Sequence, residues 1–244
     1  MRLKTIHAAA LLLAAAPAAA QDTEQSAFTI SGGATLVSDY RFRGISQTDK
    51  RFAVQGTFTL AHESGFYGTV WGSSIDDYVY NGADQEIDLI AGYRRTFGGT
   101  TVDAGLLYYY YPGSGGISSD FFEPFVSVSH AIGPVTAKAT ANYAWKQSAL
   151  SIGAGKEDNL YLAADLSAGI PDTPVSLSAH LGHSFGPSYL TIGDEYTDWG
   201  LGASVAVKNF TLGLSYVDTD GDFITPSGRN ASKAGIVASV GVAF

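Results

Sequence analysis

The sequence predicts an all-β fold: a transmembrane, antiparallel, up-and-down β-barrel of about twelve strands. Three observations carry this. Residues 234–244 alternate and then stop on an aromatic. Ala234, Ile236, Ala238, Val240, Val242 and Phe244 share one face, and Gly235, Val237, Ser239, Gly241 and Ala243 share the other. A chain ending on such a strand has the form of an outer-membrane barrel, whose last strand pairs with the first. The N-terminus carries Arg2 and Lys4, an apolar run over 8–20, and Ala18-Ala19-Ala20 before Gln21. That pattern is a secretory signal, too short to span a bilayer as a helix. No later apolar run approaches the length of a spanning helix, and an exported chain can still enter a membrane as a closed barrel. The composition agrees, with 29 Gly, 14 Tyr and 13 Phe in short alternating segments.

The expected organisation is a signal peptide over 1–20 and one barrel over 21–244. Loss of Arg2 and Lys4 takes the formal charge from −9 to −11. Such an acidic chain is a poor partner for nucleic acid. It has no cysteine, so thiol and disulfide chemistry are excluded.

Twelve strand-like segments follow from period-two alternation. The first covers 28–44, with Phe28, Ile30, Ala34, Leu36, Tyr40 and Phe42 on one face. The second covers 52–61, with Phe52, Val54, Phe58 and Leu60 on one face. The others are 66–75, 85–95, 100–111, 121–130, 135–145, 159–170, 175–185, 197–207, 210–217 and 233–244. Short connections at 62–65, 96–99, 131–134, 171–174 and 208–209 carry the Gly, Pro, Asn and Asp that tight hairpins require. Longer ones lie near 45–50, 76–84, 112–120, 146–158, 186–196 and 218–232. Short periplasmic turns alternating with longer external loops are the barrel pattern, and an even strand count puts both termini in the periplasm. A soluble β-sandwich would need a dry core, and the face opposite the apolar one is too polar for that.

If the apolar parity meets lipid, the other lines the lumen. That places Asp39, Arg41, Arg43, Arg51, Glu86, Asp88, Arg94, Asp103, Glu123, Lys138, Asp165 and Asp198 inside, seven acids and five bases. A charge facing lipid at mid-depth costs about 2–4 kcal/mol for Arg or Lys, which favours the inward assignment. Inside, these groups form either a structural ion-pair network or a filter that sets ion preference. Arg41 and Arg43 stand near the outer mouth and are candidates for a constriction. Tyr40, Phe42, Tyr108 and Tyr110 take the lipid parity and read as an aromatic girdle, with Tyr109 and Tyr111 toward the lumen.

No catalytic constellation or cofactor motif emerges. His183 and Ser184 are adjacent on a strand, so they point to opposite faces and cannot form one dyad. Asp218, Asp220 and Asp222 are spaced like calcium ligands, but no Glu closes the loop. HExxH, P-loop and CxxC motifs do not occur.

Several tracts resemble the TorF-type porin family (Gcw_chp) of proteobacteria. The first is Val37-Ser38-Asp39-Tyr40-Arg41-Phe42-Arg43-Gly44-Ile45-Ser46-Gln47. Asp120-Phe121-Phe122-Glu123, Ser178-Ala179-His180-Leu181-Gly182, Tyr196-Thr197-Asp198-Trp199 and Tyr216-Val217-Asp218-Thr219-Asp220 support it. The resemblance implies an outer-membrane barrel of porin type and carries no substrate or catalytic residue with it. Phe244 looks like the terminal aromatic that the barrel assembly machinery recognises. The expected function is a porin-like channel for small polar solutes or ions, set in outer-membrane lipid and lipopolysaccharide. The alternative is a non-conducting structural or adhesive barrel.

Overall fold

The computed structural model describes residues 26–244, and the signal segment over 1–20 lies outside the described residues. Phe28–Val37 forms β1. Two short pieces, β2 (Arg41–Phe42) and β3 (Ile45–Ser46), pair only with each other. The remaining strands are β4 (Ala53–His62), β5 (Phe66–Ser74), β6 (Gln85–Phe97), β7 (Thr100–Tyr110), β8 (Phe121–Ile132), β9 (Val135–Ile152), β10 (Gly155–Gly169), β11 (Val175–Phe185), β12 (Tyr196–Val207), β13 (Phe210–Thr219) and β14 (Gly235–Ala243). Excluding β2 and β3, each strand pairs antiparallel with its chain neighbours, and β1 pairs with β14 to close a twelve-stranded barrel.

The closing seam runs from Gly33 opposite Ala243 to Val37 opposite Ser239. It extends one step to the C-terminus, where Gly32 and Phe244 exchange backbone hydrogen bonds of 3.1 and 2.9 Å. The Phe244 ring lies over Gly32, where a Cβ would fall 2.7 Å from the ring. Small size at that position seats the terminal aromatic against the seam.

Alternation decides which face each side chain takes. Leu36, Val70, Leu89, Val126, Leu166, Leu201, Leu214 and Ile236 stand exposed on the outer wall. A continuous apolar wall of this extent is unsupportable in water and is the lipid-facing surface of a membrane barrel. The inner parity carries Thr57, Thr69, Ser127, Ser167, Ser178, Ser215 and Ser239, partly or fully buried. No described helix is long and apolar enough to cross a membrane, and the strands do that work.

Two elements differ from expectation. The first strand ends at Val37 rather than continuing to 44. From Ser38 the chain leaves the wall and folds into the lumen, because Asp39 accepts hydrogen bonds from Arg41, Ser46 and Thr48 and so builds a turn instead of a ladder. The expected loop over 146–158 is instead the long outer end of β9 and β10, with register shifts near Glu157. The hairpin tip at 152–156 is exposed, but Ala149 and Leu150 are adjacent and both buried, so β9 is covered on both faces there. Gln147 supports it by bonding both backbone groups of Phe122 at 2.8 Å, standing in for a strand partner.

Candidate functional site

Residues 38–50 form the candidate site, a segment that folds into the outer half of the lumen. The reversal at its tip comes from Arg43 (φ 47°) and Gly44 (φ 81°), both left-handed. Gly44 is also short of space: a Cβ there would collide with the Thr219 methyl and lie 2.8 Å from the Asp198 Cβ. The tip is thus pressed against β12 and β13.

Arg43 is the anchor. One guanidinium nitrogen donates to both oxygens of Glu123 at 2.7 and 2.8 Å, and another donates to Asn159 at 2.8 Å. Its Cζ lies 4.2 Å from the Tyr161 ring centre and 4.8 Å from that of Phe42. Glu123 is fully buried and also accepts from the Tyr109 hydroxyl at 3.0 Å and the Asn142 amide at 3.1 Å. A buried charge pair is tolerable only when its remaining lone pairs are satisfied, and here they are.

Tyr40 and Phe42 are not girdle residues. Both follow the segment inward. Tyr40 is buried, packs on Trp71 with ring centres 5.4 Å apart, and donates to Glu86 at 3.2 Å. Phe42 meets the Tyr109 ring edge-on at 6.0 Å. Lipid and an apolar plug favour the same side chains, which is why the alternation misled.

Arg41 also turns inward. It pairs with Asp39 at 2.6 Å and donates to the carbonyls of Gly44, Ala231 and Lys233. Arg51 does not line the lumen. It follows the segment at the rim, largely exposed, and pairs with Asp76. The other outer loops sit over the segment. The Tyr78 hydroxyl donates to the Ser46 carbonyl, the Asp76 amide donates to the Gln47 carbonyl at 2.8 Å, and the Tyr189 hydroxyl donates to the Val79 carbonyl. Arg229 reaches the buried Asp49 at 2.6 Å. Burial alone would raise the Asp49 carboxyl. Hydrogen bonds from Ser227, Thr225 and Arg229, with the Arg229 charge, outweigh it and hold the group below the usual carboxylate range.

Deeper groups form separate sets. His180 lies between Asp165 (2.7 Å) and Asp198 (2.9 Å), with the Tyr161 hydroxyl 3.0 Å from its Nε2. Both ring nitrogens therefore face carboxylates. Lys138 stands opposite Asp165 in the ladder. Arg94 pairs with Asp103 at 2.7 Å beside Tyr67, which donates to Asp103 at 2.8 Å. Glu86 and Asp88 are not deep: they sit inward at the outer end of β6, beside Tyr40, and are buried.

On the outer wall, Tyr108, Tyr143 and Tyr216 each donate to a carboxylate, of Asp120, Asp158 and Asp218 respectively. Tyr110 is exposed beside Tyr108, while Tyr109 and Tyr111 are buried within the barrel. His183 bonds Thr197 and Ser184 bonds Asn159, on opposite faces. Asp220 and Asp222 cap the Thr197 amide and the Asn230 side chain.

Sequence reasoning missed Asn142, Asn159, Tyr161 and His180. For the first three the signal was present: Asn159 and Tyr161 share one parity with Asp165, and Asn142 shares parity with Lys138.

Among solved structures, the NanC porin superposes with a TM-score of 0.59 at 12% identity, over 88% of this chain and 99% of that one. The KdgM porin in complex with disordered oligogalacturonate superposes with a TM-score of 0.57 at 9% identity, over 88% and 97%. An outer membrane channel from Pseudomonas putida F1 gives 0.54 at 10% identity, over 91% and 99%. At such identities the likeness is one of fold: this chain has the barrel of outer-membrane porins and channels. No curated protein sequence matches it. The family described as "Bacterial protein of unknown function (Gcw_chp)" matches over residues 21–244, nearly the whole chain, and the protein belongs to that family.

Proposed function

We propose that the protein is an outer-membrane porin-like channel, of TorF type within its family, that passes small hydrophilic solutes or ions by passive diffusion and performs no chemical step. The observation that carries this is a closed barrel whose lumen face is polar, narrowed by a segment held through hydrogen bonds and ion pairs rather than by the wall itself. Eight strands give a lumen filled by side chains and sixteen give an open channel, so twelve suit a narrow path. Lumen charges then tune selectivity. A polyanion such as oligogalacturonate is a poor fit, because Glu86 and Asp88 stand in the outer half of the lumen. Phe244 at the seam is the signal for the assembly machinery, and the outer tyrosine–aspartate pairs meet the lipopolysaccharide headgroups.

A second reading has its own support. The burial of Tyr40 and the engagement of Arg43 favour a lumen kept shut, hence a non-conducting structural barrel. Planar-bilayer recording on refolded residues 21–244 decides between them. Discrete current steps, altered by Arg43→Ala, support the channel. Silence from protein with heat-modifiable gel mobility supports the closed barrel.

A further inference from the structure

Two lumen carboxylates lie among aromatic rings without a counter-charge. Glu86 and Asp88 are two apart on β6 and so share the inward face. In the ladder, Asp88 stands opposite Trp71 on one side and Tyr109 on the other. Tyr40 packs against Trp71, and Tyr80 of the next loop belongs to the same buried cluster. Glu86 is 2% exposed and Asp88 7%.

Among the described residues, no Lys, Arg or His pairs with either acid. Arg43 is engaged by Glu123 and Asn159, Arg41 by Asp39 and backbone carbonyls, and Arg51 by Asp76. Glu86 receives one hydrogen bond, from Tyr40. Asp88 Oδ1 and the Tyr80 hydroxyl are buried and receive none. A buried carboxylate without a donor or a cation is costly and is relieved by a proton or by a bound cation, for which Asp88 Oδ1 leaves an acceptor free. The described residues offer no group of three or more carboxylate, His or Cys ligands, which argues against a divalent metal. Carboxylates with aromatic neighbours instead match a singly charged ammonium, whose charge is attracted to a π-face while its N–H groups meet the carboxylates.

We propose that Glu86 and Asp88, walled by Tyr40, Trp71 and Tyr109, form a binding station for small primary ammonium ions and set the channel's preference for that class of solute. The proposal rests on the channel reading and names its substrate class.

Two measurements on refolded residues 21–244 test it. In bilayers, bi-ionic potentials between methylammonium and potassium chloride should show methylammonium favoured by roughly fivefold, the scale of one cation–ring contact. Glu86→Gln with Asp88→Asn should abolish that preference. Equal permeabilities, or a preference unchanged in the double variant, would overturn the station while leaving the channel intact. In detergent, methylammonium should raise the unfolding temperature of the wild-type barrel more than potassium does, and should not do so for the double variant. This readout needs no conductance. Protection without current would sink the channel reading alone. No difference between the two ions in detergent would sink the station.

Discussion

Arg43 brings one guanidinium to a point where β8, β9 and β10 present Glu123, Asn142, Asn159 and Tyr161. Replacing it with Ala leaves Glu123 buried with no counter-charge, a loss of about 3–5 kcal/mol. Arg43→Ala should therefore lower the temperature of the folded-to-unfolded gel shift. Lys should restore little, since an ammonium cannot reach Glu123 and Asn159 with one planar fork. Gly44 gives a separate residue-scale prediction. Ala there meets both a left-handed backbone and the bodies of Thr219 and Asp198, whereas Ala at Gly98 (φ 60°) meets open space. Backbone strain costs about 1–3 kcal/mol. Denaturant titration should show Gly44→Ala clearly less stable than Gly98→Ala, and equal losses would argue that the tip is not pressed against the wall.

At the scale of elements, the inward segment and the loop 220–234 are latched by Asp49, Thr225 and Arg229. Asp49 has a folded value below the ordinary aspartate value of about 3.9. Its contribution is therefore fully present above that ordinary value and is lost as pH falls through the lower, folded one. Hydrogen exchange at residues 225–231 should accelerate in strong acid relative to pH 6, beyond the intrinsic pH effect. Arg229→Gln should show fast exchange at pH 6 and a smaller change on acidification. The wall strands were legible because one buried and one lipid face impose period two on every segment. The inward segment was not. Over 38–43 the alternation of Asp39, Arg41 and Arg43 with Tyr40 and Phe42 continues unbroken. Only the later Gly44, Thr48 and Asp49 mark a turn, and the signal does not say whether an apolar side chain meets lipid or a plug. The Arg43–Glu123 pair was legible only as two inward charges, because 80 positions separate its members and alternation carries no information on contacts that distant.

The molecule as a whole has a direction. The turns near Ser64, Gly98, Gly133 and Lys208 and the seam at Phe244 lie at one end, while the inward segment and the loops that cover it lie at the other. Barrels of this type place short turns in the periplasm and long loops outside. The absence of cysteine makes this directly testable, since any introduced thiol is the only one. Ile117 is exposed at a loop tip on the long-loop end, and Ser64 is exposed in the turn between β4 and β5. In intact cells a membrane-impermeant maleimide should label Ile117→Cys and spare Ser64→Cys, which should react once the outer membrane is permeabilised. Reversed labelling would place the inward segment on the periplasmic side, and solutes would then meet the small, polar half of the lumen before Arg43 and Asp88. Labelling of both sites in intact cells would mean the chain is not seated in the outer membrane as a barrel of this orientation, and the channel reading would lose its premise.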